Sequence, residues 1–222
     1  MDFKRNKNTD FMFDTLTSDK ITKMSNGRIP KMSPEAAAGL IGSWIVETGD
    51  PTLTNLDVVE KQAKAGRGLS QYTGTRRIPY DKARYNALQT GVDPNSAEWQ
   101  MQYFADEYSG KYDQDGRSLI GWTRALENLK PGMKAADYAE QITGSAAAGK
   151  GYFRPGVPHT DRRRAAAEAV FQAYGVRPPT PEATTLSIPQ IKQGPPVQQQ
   201  QQQQANPLSI VGDMFKNVFK IP

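Results

Sequence analysis

SPEAAAGLIGSWIVETGDP (33–51) decides the fold. Ser33 offers a hydroxyl cap, Pro34 suits the first helical position, and Glu35 puts an acid in the first turn. Ala37, Leu40, Ile41, Trp44 and Ile45 then recur at the spacing of one buried helix face. Gly49 and Pro51 end the helix. Glu47 falls on its last turn, at the edge of the Leu40/Ile41/Trp44 stripe. Partial burial disfavours an ionised carboxylate there, and so does the partial negative charge of the helix C-terminus. Both push its pKa upward, as a general acid working near neutral pH requires.

Further helices are expected over 80–89, 95–109 (Trp99, Tyr103 and Phe104 on one stripe), 117–128, 134–143 and 160–174, the last burying Ala166, Ala169, Val170, Ala173 and Tyr174. Only 52–59 and 68–79 read as extended or irregular. The fold class is therefore mainly α, with at most a small β-hairpin. Residues 1–32 are polar, with scattered Phe and Met and no sustained period, and are expected to be a flexible or partner-docked arm. The folded domain is assigned to 33–176, where Trp44, Trp99 and Trp122 lie. From Arg177 the composition turns to proline and then to an unbroken Gln198–Gln204 run, so 177–205 is read as a linker. Residues 206–222 turn apolar again: Val211, Met214, Phe215 and Val218 repeat at helical spacing opposite Lys216 and Lys220. That pattern fits a short amphipathic helix docking onto a partner protein; two lysines against Asp213 give a membrane surface little to hold.

Composition excludes several chemistries. There is no cysteine, so disulfides and thiolate metal sites are ruled out, and His159 is the only histidine. No metal and no cofactor is expected. A Ser-His-Asp triad lacks its G-x-S-x-G elbow, which leaves acid–base chemistry to carboxylates. No apolar run is long enough to span a bilayer, and no secretory signal pattern opens the sequence. The net charge of +5 suits an anionic polymer, a nucleic acid or an ordinary surface equally. No helix-turn-helix or finger signature supports a DNA-binding role.

Downstream of Glu47 comes GRGLSQYTGTRR (66–77). Its glycines allow close backbone approach, Gln71 can donate to and accept from hydroxyls, and Tyr72 has a flat face of the kind that stacks on a sugar ring. A helix ending Glu47-Thr48-Gly49, preceded by Ala38-Gly39-Leu40-Ile41-Gly42 and followed by Gly68-Leu69-Ser70-Gln71-Tyr72 with Gly74 and Arg76, resembles the phage tail lysozyme family, near the goose-type lysozymes and lytic transglycosylases. Trp99 to Tyr103 with Glu107 resembles its middle helix, and Tyr152-Phe153-Arg154-Pro155-Gly156 with Arg162 to Arg164, Ala166 and Tyr174 its last segment. The likeness spans 33–176, and three blocks in the right order and spacing make it specific.

The resemblance implies a lysozyme-like α fold with a sugar-binding cleft, acting on peptidoglycan between N-acetylmuramic acid and N-acetylglucosamine. Glu47 would be the acid, and Gly68, Ser70, Gln71, Tyr72, Arg76 and Tyr152 would meet substrate. The second catalytic group is left between Asp57 and Asp50; without either, the substrate's own hydroxyl attacks, as in a lytic transglycosylase. Two departures stand out: Phe153 replaces a glutamate common in the family, and the short Asp50–Gly66 loop implies an open cleft. Arg162-Arg163-Arg164 reads as a mostly solvated face, because adjacent helical residues point in different directions. The anchor-like ends suit a virion component, in the tail or internal core, that contacts phage structural proteins through 206–222 and through 1–32. A non-catalytic virion protein keeping the same fold is the rival reading.

Overall fold

The computed structural model describes residues 3–60, 64–113, 125–144 and 150–175. The expected linker 177–205, the docking segment 206–222 and residues 117–124 of an expected helix lie outside the described residues. The described part is helical: α1 (Lys7–Leu16), α2 (Asp19–Met24), α3 (Pro34–Thr48), α4 (Gly74–Gln89), α5 (Ala97–Tyr108), α6 (Ala135–Thr143) and α7 (Thr160–Tyr174). The β structure includes isolated antiparallel bridges joining Val59 to Arg67 and Arg67 to Tyr72. This is the mainly α, lysozyme-like architecture expected.

α3 is the axis. Ser33 Oγ accepts from the Ala36 amide, and Gly49 closes the helix in the left-handed conformation. Where one buried face was expected, every residue from Ala36 to Ile45 is buried. A helix covered on all sides needs small residues where its neighbours come closest, and α6 and α7 both pack on it. A methyl added to Gly42 would lie 2.4 Å from the Ala167 backbone nitrogen. That approach sets α7 directly on α3, and it brings the two ends that form the site together.

Residues 3–32 are not a flexible arm. Asn6 caps α1 in a reciprocal box with Thr9, Ser18 caps α2, and Met12, Phe13, Leu16, Ile21, Ile29 and Met32 are buried in the main core. The buried set Thr9, Met12, Phe13 and Leu16 does follow helical spacing. It is easy to miss because the intervening residues are strongly polar and the helix is short. The arm docks, but on its own domain: Phe13 stacks on Tyr174 of α7 at 4.3 Å.

α4 begins at Gly74, several residues before the expected Tyr80, and carries Pro79 inside it. Proline removes one helical donor. Side-chain anchors offset that loss: Arg76 forms a bidentate pair with Glu107 of α5, and Arg77 reaches the Ala65 carbonyl.

Candidate active site

Glu47 lies on the last turn of α3 with its side chain 14% exposed, facing Arg163 on the first turn of α7, which is 2% exposed. Arg163 Nη2 donates to Glu47 Oε1 at 2.6 Å. The guanidinium is itself held: Nε donates to the Pro158 carbonyl at 2.7 Å, Nη1 to the Ser43 carbonyl at 3.1 Å, and the Phe153 ring lies 5.4 Å away. Arg163 is thus fixed by protein carbonyls with one fork tip left for the acid. Glu47 Oε2 takes no hydrogen bond from any described residue and is not a buried orphan, so this oxygen shares in the side chain's exposure.

Burial lifts the Glu47 carboxyl above the ordinary glutamate range. The Arg163 guanidinium, and more weakly Arg76 and His159, pull the other way without cancelling that lift. The geometry therefore provides a carboxyl with one oxygen oriented, one oxygen available, and an increased hold on its proton.

Behind it runs a buried polar network. Trp44, one turn before Glu47, donates its indole N–H to Ser70 Oγ at 3.0 Å. The Tyr152 hydroxyl lies 3.3 Å from that oxygen and donates to Glu107 Oε2 at 3.0 Å. Glu107, fully buried, accepts from Arg76 Nε and Nη2 at 2.6 and 2.8 Å. The Arg76 guanidinium sits 5.0 Å from the Tyr72 ring and 4.8 Å from the Tyr152 ring. A buried pair with its remaining lone pairs satisfied is a rigid scaffold.

Several residues expected to meet substrate are parts of that scaffold. Ser70, Arg76 and Tyr152 are buried with their polar groups engaged as above. Tyr72 is 0% exposed: Tyr80 stacks on it at 4.7 Å and Tyr103 meets it edge-on at 4.9 Å, so protein rings cover the face expected for a sugar. Gly68, at φ +79, has the Tyr80 hydroxyl where a Cβ would stand, 2.4 Å away. Gln71 is half-buried in a left-handed conformation, its amide donating to the Gly68 and Val58 carbonyls. It tightens the turn, leaving its carbonyl oxygen against Gly66.

Neither candidate for a second catalytic carboxylate is disengaged. Asp57 Oδ1 accepts from Arg67 and Tyr80, and Oδ2 from Arg67 and Arg84 at 2.9 and 2.6 Å. Asp50 folds its own loop, accepting from the Thr52, Thr54 and Asn55 amides and the Thr52 and Thr54 hydroxyls. Burial works to raise its pKa, but those donors hold it down to about 2.

The residue missed in the sequence is Arg163. Its neighbours behave as expected of a solvated run: Arg162 is exposed, and Arg164 bridges Asp137 and Glu140 at a partly exposed position. Arg163 departs because it continues the buried set Ala166, Ala167, Val170 and Tyr174 by one turn, a periodicity legible in the sequence. Phe153, where a glutamate is common, still touches the last helix, through its ring against Arg163. Among the described residues no group of His, Asp or Glu side chains is arranged to hold a metal ion.

No curated protein and no solved structure matches the chain. The family model described as phage tail lysozyme does match, over residues 17–174, which include every element from α2 to α7. With lysozyme-like helices around a carboxyl poised at the end of α3, and a match across most of its length, the chain belongs to the phage tail lysozyme family.

Proposed function

We propose that the protein cleaves the β-1,4 bond between N-acetylmuramic acid and N-acetylglucosamine in peptidoglycan, with Glu47 as the general acid. Membership of a family of lysozyme-like phage tail enzymes supplies the reaction class. One observation carries the choice of residue: Arg163 holds Oε1 while burial raises the pKa, so Oε2 is the oxygen that keeps a proton for the leaving group. The proton passes from Oε2 to the bridging oxygen as the C1–O bond breaks. Arg163 then stabilises the carboxylate that results.

Attack on the anomeric carbon completes the reaction. Asp50 and Asp57 are both saturated with donors, which favours attack by a water or substrate hydroxyl that neither of them activates. A hydroxyl of the substrate would give an anhydro product. Mass spectrometry of released muropeptides separates this from hydrolysis by the loss of one water. We further read the enzyme as a virion component that opens the wall locally during DNA entry, with 206–222 docking onto phage structural proteins.

The test is zymography on purified peptidoglycan. Wild type clears the gel, and Glu47→Gln loses activity by roughly 10²-fold or more, because an amide has no proton to give. Clearing that persists in Glu47→Gln assigns the acid elsewhere.

A further inference from the structure

α1 lies outside the stretch matched to the family, which starts at residue 17, yet it touches the segment that leaves the candidate acid. α3 ends at Gly49, and the chain turns at once into the loop built on Asp50. Two carbonyls of that loop point at α1. Asn6 Nδ2 donates to the Thr52 carbonyl at 2.5 Å, and Asn8 Nδ2 donates to the Leu53 carbonyl at 2.9 Å. Leu53 is held at φ +47 with its side chain fully buried, a backbone state that an L residue adopts only when its surroundings impose it.

The same helix is fastened at its other side to α7. The Tyr174 hydroxyl bonds to Thr9 Oγ1 at 2.8 Å and to Asp10 Oδ1 at 2.6 Å, and the Arg5 guanidinium covers the Tyr174 ring at 4.4 Å. α1 therefore joins the exit of the helix bearing Glu47 to the helix bearing Arg163. Its Asn6 side chain serves two ends: the carbonyl oxygen caps α1 by accepting from the Asn8 and Thr9 amides, and the amide reaches across to Thr52.

We propose that α1 is a brace: the Asn6 and Asn8 carboxamides fix the Thr52–Leu53 turn and thereby hold the end of α3 so that Glu47 meets Arg163 in one geometry. Asn6 and Asn8 are positioning residues that touch no substrate. The effect on rate rests on Glu47 being the acid; the bracing itself does not.

The variant that separates bracing from folding is Asn6→Asp/Asn8→Asp in the full chain. An aspartate still caps at position 6 and suits the first helical turn at position 8, but it cannot donate to a carbonyl. Two measurements are made: amide hydrogen exchange across 50–56, and kcat and KM on solubilised peptidoglycan. Tyr174→Phe serves as a control, since it weakens the α1–α7 attachment without touching the loop.

The brace requires exchange in 50–56 to rise by roughly tenfold or more, the worth of one or two hydrogen bonds, with kcat falling and KM unchanged. Tyr174→Phe is expected to lower Tm, with a smaller change in loop exchange and kcat than the double variant, because the Asn6 and Asn8 bonds to the loop stay in place. Unchanged loop exchange in the double variant overturns the brace. Faster exchange with wild-type kcat overturns the positioning of Glu47. Inactive wild-type protein would count against the glycosidase reading, while the exchange result would still decide the brace.

Discussion

Arg163 Nη2 meets Glu47 Oε1 at 2.6 Å across 116 residues of sequence, and both groups are largely out of water. Breaking one side of such a pair strands the other. At pH values where Glu47 is ionised, Arg163→Met is expected to cost about 3–5 kcal/mol, read from denaturant midpoints. The loss shrinks in acid, because Glu47 then escapes by protonation. Without the guanidinium the Glu47 pKa climbs further, so the alkaline limb of the pH–rate profile moves to higher pH. A limb that stays in place would show that Arg163 does not act on the titrating group.

The sign of the wild-type dependence follows from the same carboxyl. Its folded pKa is raised above the ordinary value of 4.5, so the folded state holds this proton more tightly than the unfolded chain. That contribution is fully present below 4.5 and is lost as pH rises through the folded value. Measured against Glu47→Gln, wild-type stability should decline over that window. A flat difference curve there would mean the carboxyl is not held as described.

Tyr72 tests whether the Gln71-Tyr72 pair serves the substrate or the core. Its ring is packed between Tyr80 and Tyr103, and its hydroxyl is buried without a hydrogen-bond partner. Removing an unsatisfied hydroxyl is close to neutral or stabilising, so Tyr72→Phe should keep its activity and keep or raise its Tm. Tyr72→Ala should lose about 3–5 kcal/mol, as for other emptied aromatic sites. A raised KM in Tyr72→Phe with Tm unchanged would return the residue to the substrate.

How much of this was legible in the sequence depended on the range of the contacts involved. Local signals placed α3, α5, α6 and α7 within a residue or two, because Ser33-Pro34-Glu35 and the 3.6-residue stripes act within a turn or two of themselves. The expected position of Glu47 at the edge of a buried stripe also matches where it lies. What local signals did not carry was tertiary. Arg76, Ser70 and Tyr152 have the right chemistry for a substrate, and only their partners Glu107 and Trp44, distant in sequence, reveal that those groups are occupied. α4 starts before its proline because pairs to α5 and to Ala65 hold its first turns. α1 is easy to miss because it is short and strongly polar residues separate its buried positions, although its helical spacing and its Asn6/Thr9 capping box are written in the chain.

Asp50 predicts an acid-sensitive loop. Its pKa of about 2 lies below the ordinary 3.8, so its contribution is present above 3.8 and is lost as pH falls toward 2. Asp50→Ala removes the acceptor for the Thr52, Thr54 and Asn55 amides and should cost about 1–3 kcal/mol at neutral pH. The gap between wild type and variant should close below pH 3.8. A gap that is constant with pH would point to packing rather than charge.

Asp57 gives the contrast that fixes the number of catalytic carboxylates. It pairs with Arg67 and Arg84 and accepts from Tyr80, which joins Asp57 and Arg67 to α4. Asp57→Asn keeps the shape but removes the charge between two partly exposed arginines. A loss of about 1–3 kcal/mol follows, reduced by solvent around the arginine heads. Assayed below its lowered Tm, the variant should retain kcat within roughly threefold, since both Asp57 oxygens are already occupied and offer no site for a nucleophilic water. The comparison with Glu47→Gln must be made on equal amounts of folded protein. A drop in kcat as deep as that of Glu47→Gln would mean that the arginines release Asp57 when substrate binds, and that the reaction uses a pair of carboxylates after all.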